Sequence, residues 1–210
     1  MKHILMLATG GTIASKESGR GLSPAITSEE ILSYVPSLGS LCRVEAVQLM
    51  NLDSTNVRPA HWLEMAGAIQ EQYDRYDGFV ITHGTDTMAY TASALSFMLG
   101  GLDKPVVLTG SQIPLCEIRS DGRDNLITAL LIAGEGVVRE VCLYFGGKLL
   151  RGNRATKYSA DGLIAFVSPN YPILAEAGIS IRYNESALLP GQKGGLKLQT
   201  LDPVPIGVIK

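Results

Sequence analysis

The sequence predicts an α/β fold with a mostly parallel, mixed sheet and helices on both faces. Two patterns, which alternate along the chain, lead to this prediction. One is a short apolar run, and the other is a longer segment in which apolar residues recur at helical spacing. Such an alternation is typical of a parallel sheet that is covered by helices on both sides. With 210 residues, of which 46% are hydrophobic, the chain can bury a full core.

The strand predictions depend on continuous apolar runs, which are typical of strands buried on both faces. The clearest run is residues 79–81, because a polar, glycine-containing segment follows it and a helical pattern comes next. The predicted strands are residues 4–7, 44–49, 79–81, 105–108, 141–145 and 163–166.

Helices are predicted to begin near residues 27, 59, 85 and 120. Thr27 and Glu30 form a capping box, which starts a short helix that ends before Pro36. Pro59 suits a first helical turn. The apolar stripe that follows it is Trp62, Met65, Ile69 and Tyr73. Ser120 or Asp121 is expected to cap the last of these helices.

Two segments have neither pattern. Residues 15–23 are rich in glycine, serine and charge, and we expect them to form a mobile loop. From residue 190 the composition shifts to Gly, Lys, Gln and Pro, which is typical of a linker. The predicted division is therefore a domain over residues 1–189, a linker over 190–205, and the beginning of a further unit over 206–210.

Charge and cysteine usage argue against several classes of protein. A formal net charge of −2 without a basic run argues against binding to nucleic acid or to a membrane surface. No apolar stretch approaches the ~20 residues that a membrane span needs. The three cysteines are far apart and odd in number, and the three histidines have no ligand spacing. We therefore expect no disulfide framework and no structural metal, and we predict a cytoplasmic protein.

Four of the predicted strands end in polar loops, at residues 9–12, 53–55, 83–87 and 109–112. Ligands of parallel α/β sheets bind beyond the carboxyl ends of the strands. Thr85 or Asp86 alone could be explained as a helix cap, but four such loops at one edge predict a polar site. None of them contains a phosphate-binding or dinucleotide-binding glycine motif. The expected ligand is small, polar and not a nucleotide.

Two of these loops resemble the signature motifs of a known enzyme family. Residues 9–14 (TGGTIA) and 83–88 (HGTDTM) resemble the two motifs of the bacterial L-asparaginases. The similarity continues through residues 90–99, 109–115 and 151–154, and it is greatest to the cytoplasmic, type I branch. The resemblance implies a flavodoxin-like, three-layer N-terminal asparaginase domain. It also implies a second, smaller α/β domain, of which these residues include only the beginning.

The resemblance implies an amidohydrolase that converts L-asparagine to L-aspartate and ammonia through a threonine acyl-enzyme. It implies no cofactor, and a homo-oligomer that is a dimer or a tetramer. L-Asparagine is the expected substrate and L-glutamine a weak second one, and the preference between the two stays open. The implied catalytic residues are Thr12, Thr85, Asp86 and Lys157. The implied substrate-binding residues are Gly11, Asp53, Ser54, Thr55, Gly84, Thr85 and Asp86.

The activation of Thr12 stays open at this stage. A threonine hydroxyl is a weak nucleophile until a base takes its proton. Lys157 is such a base only when it is neutral; burial favours that form, and the Asp86 carboxylate opposes it. Leu22 stands where the family usually has a tyrosine that assists the nucleophile, and leucine has no proton to donate.

Two other functions are also open. The chain could be the amidase component of a larger amidotransferase-like assembly. It could instead be a non-catalytic module that binds an amino acid.

Overall fold

The computed structural model describes residues 1–18, 21–35, 42–191, 194–202 and 204. The strands are β1 (Lys2–Gly10), β2 (Ser15–Ser18), β3 (Gly21–Pro24), β4 (Cys42–Leu52), β5 (Gly78–Thr82), β6 (Leu99–Gly100), β7 (Val106–Thr109), β8 (Val141–Phe145), β9 (Lys148–Arg151), β10 (Thr156–Lys157), β11 (Phe166–Val167), β12 (Ala175–Ala177), β13 (Ile181–Tyr183) and β14 (Lys197–Leu198). The helices are α1 (Ser28–Ser33), α2 (Pro59–Gln72), α3 (Met88–Met98) and α4 (Gly122–Glu135). None of the described helices has the length and apolar character that crossing a membrane requires.

The main sheet is mixed and mostly parallel. Its eight strands, in the part of the chain that is described, lie in the order β13-β12-β9-β8-β7-β5-β1-β4. From β4 to β8 all neighbours are parallel, whereas β9, β12 and β13 extend the sheet in antiparallel pairs. The parallel part has the strand order 2-1-3-4-5 of the flavodoxin-like folds. The predicted fold class is therefore confirmed.

The core has two halves, one on each face of the sheet, as the alternation along β1 shows. Ile4 and Met6 point into the cluster that α1 and α4 cover. Leu5 and Leu7 point into the cluster that α2 and α3 cover. All four side chains are buried, and each contributes about 1.5–3 kcal/mol to stability. This burial on both faces explains why the strands have continuous apolar sequences.

The prediction of a mobile loop at residues 15–23 is wrong for the described residues of that segment. Strands β2 and β3 form an antiparallel hairpin in which Ser15 pairs with Pro24 and Ser18 pairs with Gly21. Backbone hydrogen bonds between the two strands hold this ribbon, and such bonds do not require apolar side chains. Residues 19–20, within the predicted loop, lie outside the described residues.

The predicted strand at residues 163–166 is displaced. Leu163 and Ile164 are 41% and 57% exposed, and the strand β11 begins only at Phe166. It pairs with β10 in a two-stranded ribbon, where Lys157 lies opposite Phe166. The apolar run was misleading because its first half is not buried.

The capping box was predicted from Thr27 and Glu30. The capping box at α1 is confirmed, since Glu30 N donates to Thr27 Oγ1 at 3.2 Å and Thr27 N donates to Glu30 Oε2 at 2.8 Å.

Within the predicted linker, β14 pairs with β6, and Leu196, Leu198 and Leu201 pack against the core under α2 and α3. The described part of that segment therefore lies against the sheet domain, whereas residues 205–210 lie outside the described residues.

Candidate active site

A small polar cleft lies where the carboxyl ends of β4, β1 and β5 meet. The strand order reverses direction at β1, and ligands of doubly wound sheets bind at such a switch point. The residues that line the cleft are Gly11, Thr12, Ser15, Asp53, Ser54, Gly84, Thr85 and Asp86. Among the described residues, no group of three or more His, Cys, Asp or Glu side chains is arranged to hold a metal ion.

Two glycines allow the three loops of the cleft to meet. Gly11 has a φ of 78°, and a Cβ atom there would lie 2.3 Å from the Cα of Gly84. A Cβ atom on Gly84 would lie 2.6 Å from the Ser54 hydroxyl oxygen. Any side chain at either position would therefore separate the loops that carry Thr12, Ser54 and Thr85.

Thr12 lies at the first position of a short 3₁₀ turn after β1. It is partly exposed, whereas Ile13 and Ala14 after it are buried in the core. Ser15, which sequence reasoning did not single out, donates from Oγ to the Gly11 carbonyl at 2.9 Å. The buried turn and this hydrogen bond hold the loop on which Thr12 faces the cleft.

Lys157 on β10 lies beside the cleft and bonds to two polar side chains of the loop after β5. Its Nζ donates to Thr85 Oγ1 at 2.8 Å and to Asp86 Oδ1 at 2.6 Å. The Lys157 side chain is 17% exposed, whereas the Asp86 side chain is 59% exposed. The structure therefore brings three of the four predicted catalytic residues into one hydrogen-bonded group, beside Thr12.

Gln112 joins this group, and sequence reasoning did not assign it a role. Thr85 Oγ1 donates to Gln112 Oε1 at 3.0 Å, and Gln112 Nε2 donates to the carbonyls of Ala160 and Gly162. Its position as the last residue of the polar loop at 109–112 was the available signal. Gln112 thus links the loop that carries Thr85 to the segment that follows Lys157.

The Asp121 carboxylate holds the Gln112 loop in place. It accepts hydrogen bonds from the N–H groups of Gln112 and Ile113 at 3.0–3.1 Å. The prediction of a cap at Ser120 or Asp121 is therefore only partly right. Asp121 occupies the N-cap position of α4 without a side-chain capping bond, since its carboxylate binds the preceding loop.

Asp53 and Thr55 shape the turn that presents Ser54. Asp53 Oδ1 accepts from Thr55 Oγ1 at 2.7 Å and from Thr55 N at 2.8 Å, and these two hydrogen bonds lower the pKa of Asp53. Thr55 itself does not line the cleft. Ser54 is 4% exposed, and its carbonyl accepts from Thr87 Oγ1 at 2.7 Å. The turn after β4 is thereby tied to the loop after β5.

Helix α3 begins later than predicted, at Met88. Thr87 is its N-cap residue and makes no side-chain capping bond. Neither Thr85 nor Asp86 caps the helix, because both side chains bind Lys157. The capping explanation for these two residues is therefore wrong.

His83 lies directly behind the cleft and is completely buried. Desolvation by burial lowers its pKa to about 4, although a hydrogen bond with the Gly84 carbonyl opposes this shift. The ring is therefore neutral at pH 7 in the folded protein.

We expect this buried histidine to make the folding stability depend on pH. Below pH 6.5 the unfolded chain binds a proton at His83 that the folded chain does not bind until about pH 4. Stability should therefore be lost as the pH falls through this window, by about 2–3 kcal/mol between pH 7.5 and 4.5. Urea unfolding of the parent and of the His83→Asn variant measures the loss, which should be smaller in the variant. Equal losses in both proteins would contradict the assignment.

A family model and several relatives identify the family to which the chain belongs. Residues 3–189 match the family model "Asparaginase, N-terminal". The chain belongs to the asparaginase family. It is 48% identical to L-asparaginase 1 of Escherichia coli K12, over 99% of this chain and 63% of that protein. It thus spans less than two thirds of this relative's length.

Solved structures of asparaginases have the same fold. The chain is similar to L-asparaginase I from Vibrio cholerae, with a TM-score of 0.91 and 46% identity, over 99% of this chain and 64% of the other. A further relative has another name: the chain is 37% identical to a glutamyl-tRNA(Gln) amidotransferase subunit of Saccharolobus solfataricus. That similarity covers 83% of this chain and 41% of the relative.

Proposed function

We propose that this protein hydrolyses the side-chain amide of L-asparagine, without a cofactor, and that Thr12 carries the acyl group. One observation carries the proposal: Lys157 bonds to Thr85 and Asp86, and these two residues line the same cleft as Thr12. A threonine nucleophile needs an adjacent group that can take its proton, and this cluster supplies a candidate.

In the proposed reaction, Thr12 Oγ attacks the carboxamide carbon of the substrate, and the C–N bond then breaks. The leaving nitrogen takes up a proton and departs as ammonia. Water hydrolyses the Thr12 ester, which releases L-aspartate and restores the hydroxyl. Backbone N–H groups of the loops at Gly11 and Gly84 would stabilise the oxyanion of each tetrahedral intermediate.

We assign the proton transfers to Lys157 and Thr85. In the present arrangement Lys157 donates to both Thr85 and Asp86, so it must first lose a proton before it can accept one. Thr85 Oγ1 lies between Lys157 and the cleft and would relay the proton. This assignment needs no hydroxyl at position 22, where the family tyrosine is replaced by leucine.

The α-ammonium and α-carboxylate groups of the substrate would bind at two different places in the cleft. The Asp86 carboxylate would accept hydrogen bonds from the α-ammonium, and the Ser54 hydroxyl would donate to the α-carboxylate. Asp53 and Thr55 would act by holding the Ser54 turn, since their side chains bind each other. L-Glutamine is one methylene longer than L-asparagine, and we propose that it is used only weakly.

Ammonia release from L-asparagine by the 210-residue chain tests the activity, and calorimetry with L-aspartate tests binding. Turnover that is faster than in a chain with Thr12→Ala would support the proposed reaction. Binding of L-aspartate without ammonia release would favour a non-catalytic module. Activity that appears only with added partner proteins would favour an amidotransferase component, which the similarity to the Saccharolobus amidotransferase protein makes the second candidate.

We also propose a homo-oligomer, a dimer or a tetramer, in the cytoplasm. Tyr90 and Phe97 are 69% and 66% exposed on α3, and their spacing places them on one face of the helix. Tyr90 also lines a groove with Asp86 and Lys157. Exposed aromatic side chains beside a site are typical of protein contacts. Sedimentation should show at least a dimer, and a monomer at micromolar concentration would contradict this proposal.

A further inference from the structure

A chain of hydrogen bonds runs from α2 to the backbone of the cleft. Trp62 Nε1 lies 3.0 Å from Thr91 Oγ1, which lies 3.0 Å from His83 Nε2. On the other side of the ring, His83 Nδ1 lies 2.8 Å from the Gly84 carbonyl oxygen. His83 and Thr91 are both fully buried, so neither exchanges these partners for water.

The chemistry of the two ends determines the direction of every bond in this chain. An indole N–H only donates, and a carbonyl oxygen only accepts. His83 Nδ1 must therefore carry the proton and donate to the Gly84 carbonyl. Nε2 of the neutral ring then accepts from the Thr91 hydroxyl, whose oxygen accepts from Trp62. The other tautomer would place two lone pairs against each other at Gly84.

The hydrogen bond from His83 Nδ1 to the Gly84 carbonyl constrains a peptide group of the cleft. In a trans peptide the carbonyl and the next N–H point in opposite directions. Because the Gly84 carbonyl points to the imidazole, the Thr85 N–H points away from it. The Gly84 backbone also lies against Gly11 and Ser54, where no side-chain atom would fit. The peptide therefore has little room to turn once His83 holds its oxygen.

We propose that His83 is a positioning residue, which orients the Gly84–Thr85 peptide so that the Thr85 N–H and hydroxyl stay in place at the cleft. This inference rests on the proposed amide hydrolysis, in which that N–H can stabilise an oxyanion. His83 does not touch the substrate. It acts through the backbone of the residue that follows it, and Trp62 and Thr91 keep the ring in the required tautomer.

Two variants of His83 separate positioning from packing. An asparagine amide can place an N–H near the position of Nδ1, whereas a glutamine amide reaches the position of Nε2 and leaves the Gly84 carbonyl without its donor. We expect His83→Gln to lower kcat about 100-fold, with KM changed less than about threefold. The reason is that a misplaced Thr85 N–H and hydroxyl would weaken contacts that are made mainly in the transition state. His83→Asn should restore most of kcat.

Equal kcat losses in the two folded variants, or no loss in either, would overturn the proposal. A measurement on the parent protein tests it without any substitution. The ¹⁵N chemical shifts of the His83 ring should show a protonated Nδ1 and an unprotonated Nε2. A protonated Nε2 would overturn the proposal even if neither variant folds. If the parent releases no ammonia, the proposed function fails, and the ring shifts still decide the tautomer.

Discussion

Replacing Thr12 with alanine should abolish ammonia release from L-asparagine. The substitution removes the proposed nucleophile, and loss of a covalent nucleophile lowers kcat by at least about 10³-fold in comparable hydrolases. The fold should persist, because Thr12 is partly exposed in a turn whose buried residues are Ile13 and Ala14. Steady-state ammonia release measures the effect, and far-UV circular dichroism checks the fold.

Thr12→Ser is the matched control for this experiment. It keeps the hydroxyl and removes only a methyl group, so part of kcat should remain. If the alanine variant kept a kcat close to the parent value, Thr12 could not be the nucleophile. A folded alanine variant that still binds L-aspartate would show that the substitution removed chemistry and not the binding cleft.

Replacing Lys157 with methionine should produce the second large effect. Methionine has a similar length but no charge and no proton to move, so kcat should fall by about 10²–10⁴-fold if Lys157 is the general base. The cost in stability should be small, about 1 kcal/mol or less, because the Asp86 carboxylate is 59% exposed and water replaces its partner. Ammonia release and urea unfolding measure the two effects.

Lys157→Arg decides between two roles of Lys157, that of a general base and that of a positive charge. Arginine keeps the ion pair with Asp86 but does not lose its proton at any working pH. If Lys157 acts as a base, the arginine variant should be about as inactive as the methionine variant. Retention of most of kcat in Lys157→Arg would rule out the base role and leave only an electrostatic one.

The polar loops of the cleft could be predicted because they depend on local patterns. Apolar runs indicate strands, and the carboxyl ends of parallel strands share one edge of the sheet. Three of the four loops, at residues 9–12, 53–55 and 83–87, contribute residues that line the cleft. The fourth, at residues 109–112, reaches it through the hydrogen bond between Gln112 and Thr85.

The hairpin of β2 and β3 and the antiparallel strands β9, β12 and β13 were not predicted. These strands are short and only partly apolar, and their pairing depends on backbone hydrogen bonds that composition does not reveal. The strand predicted at residues 163–166 was misplaced for the opposite reason. Its side chains are apolar, but Leu163 and Ile164 have no core to enter.

The amino-acid sequence by itself determined the α/β class, the positions of the parallel strands and the motifs that resemble asparaginases, since each depends on residues close together in the chain. Only the tertiary structure decided which side chains meet. Lys157 lies 72 positions from Thr85 and 71 from Asp86, yet it bonds to both. The tautomer of His83 likewise depends on Trp62, which lies 21 positions earlier in α2. Hydrogen bonds act over about 3 Å, so such contacts depend on how distant segments pack.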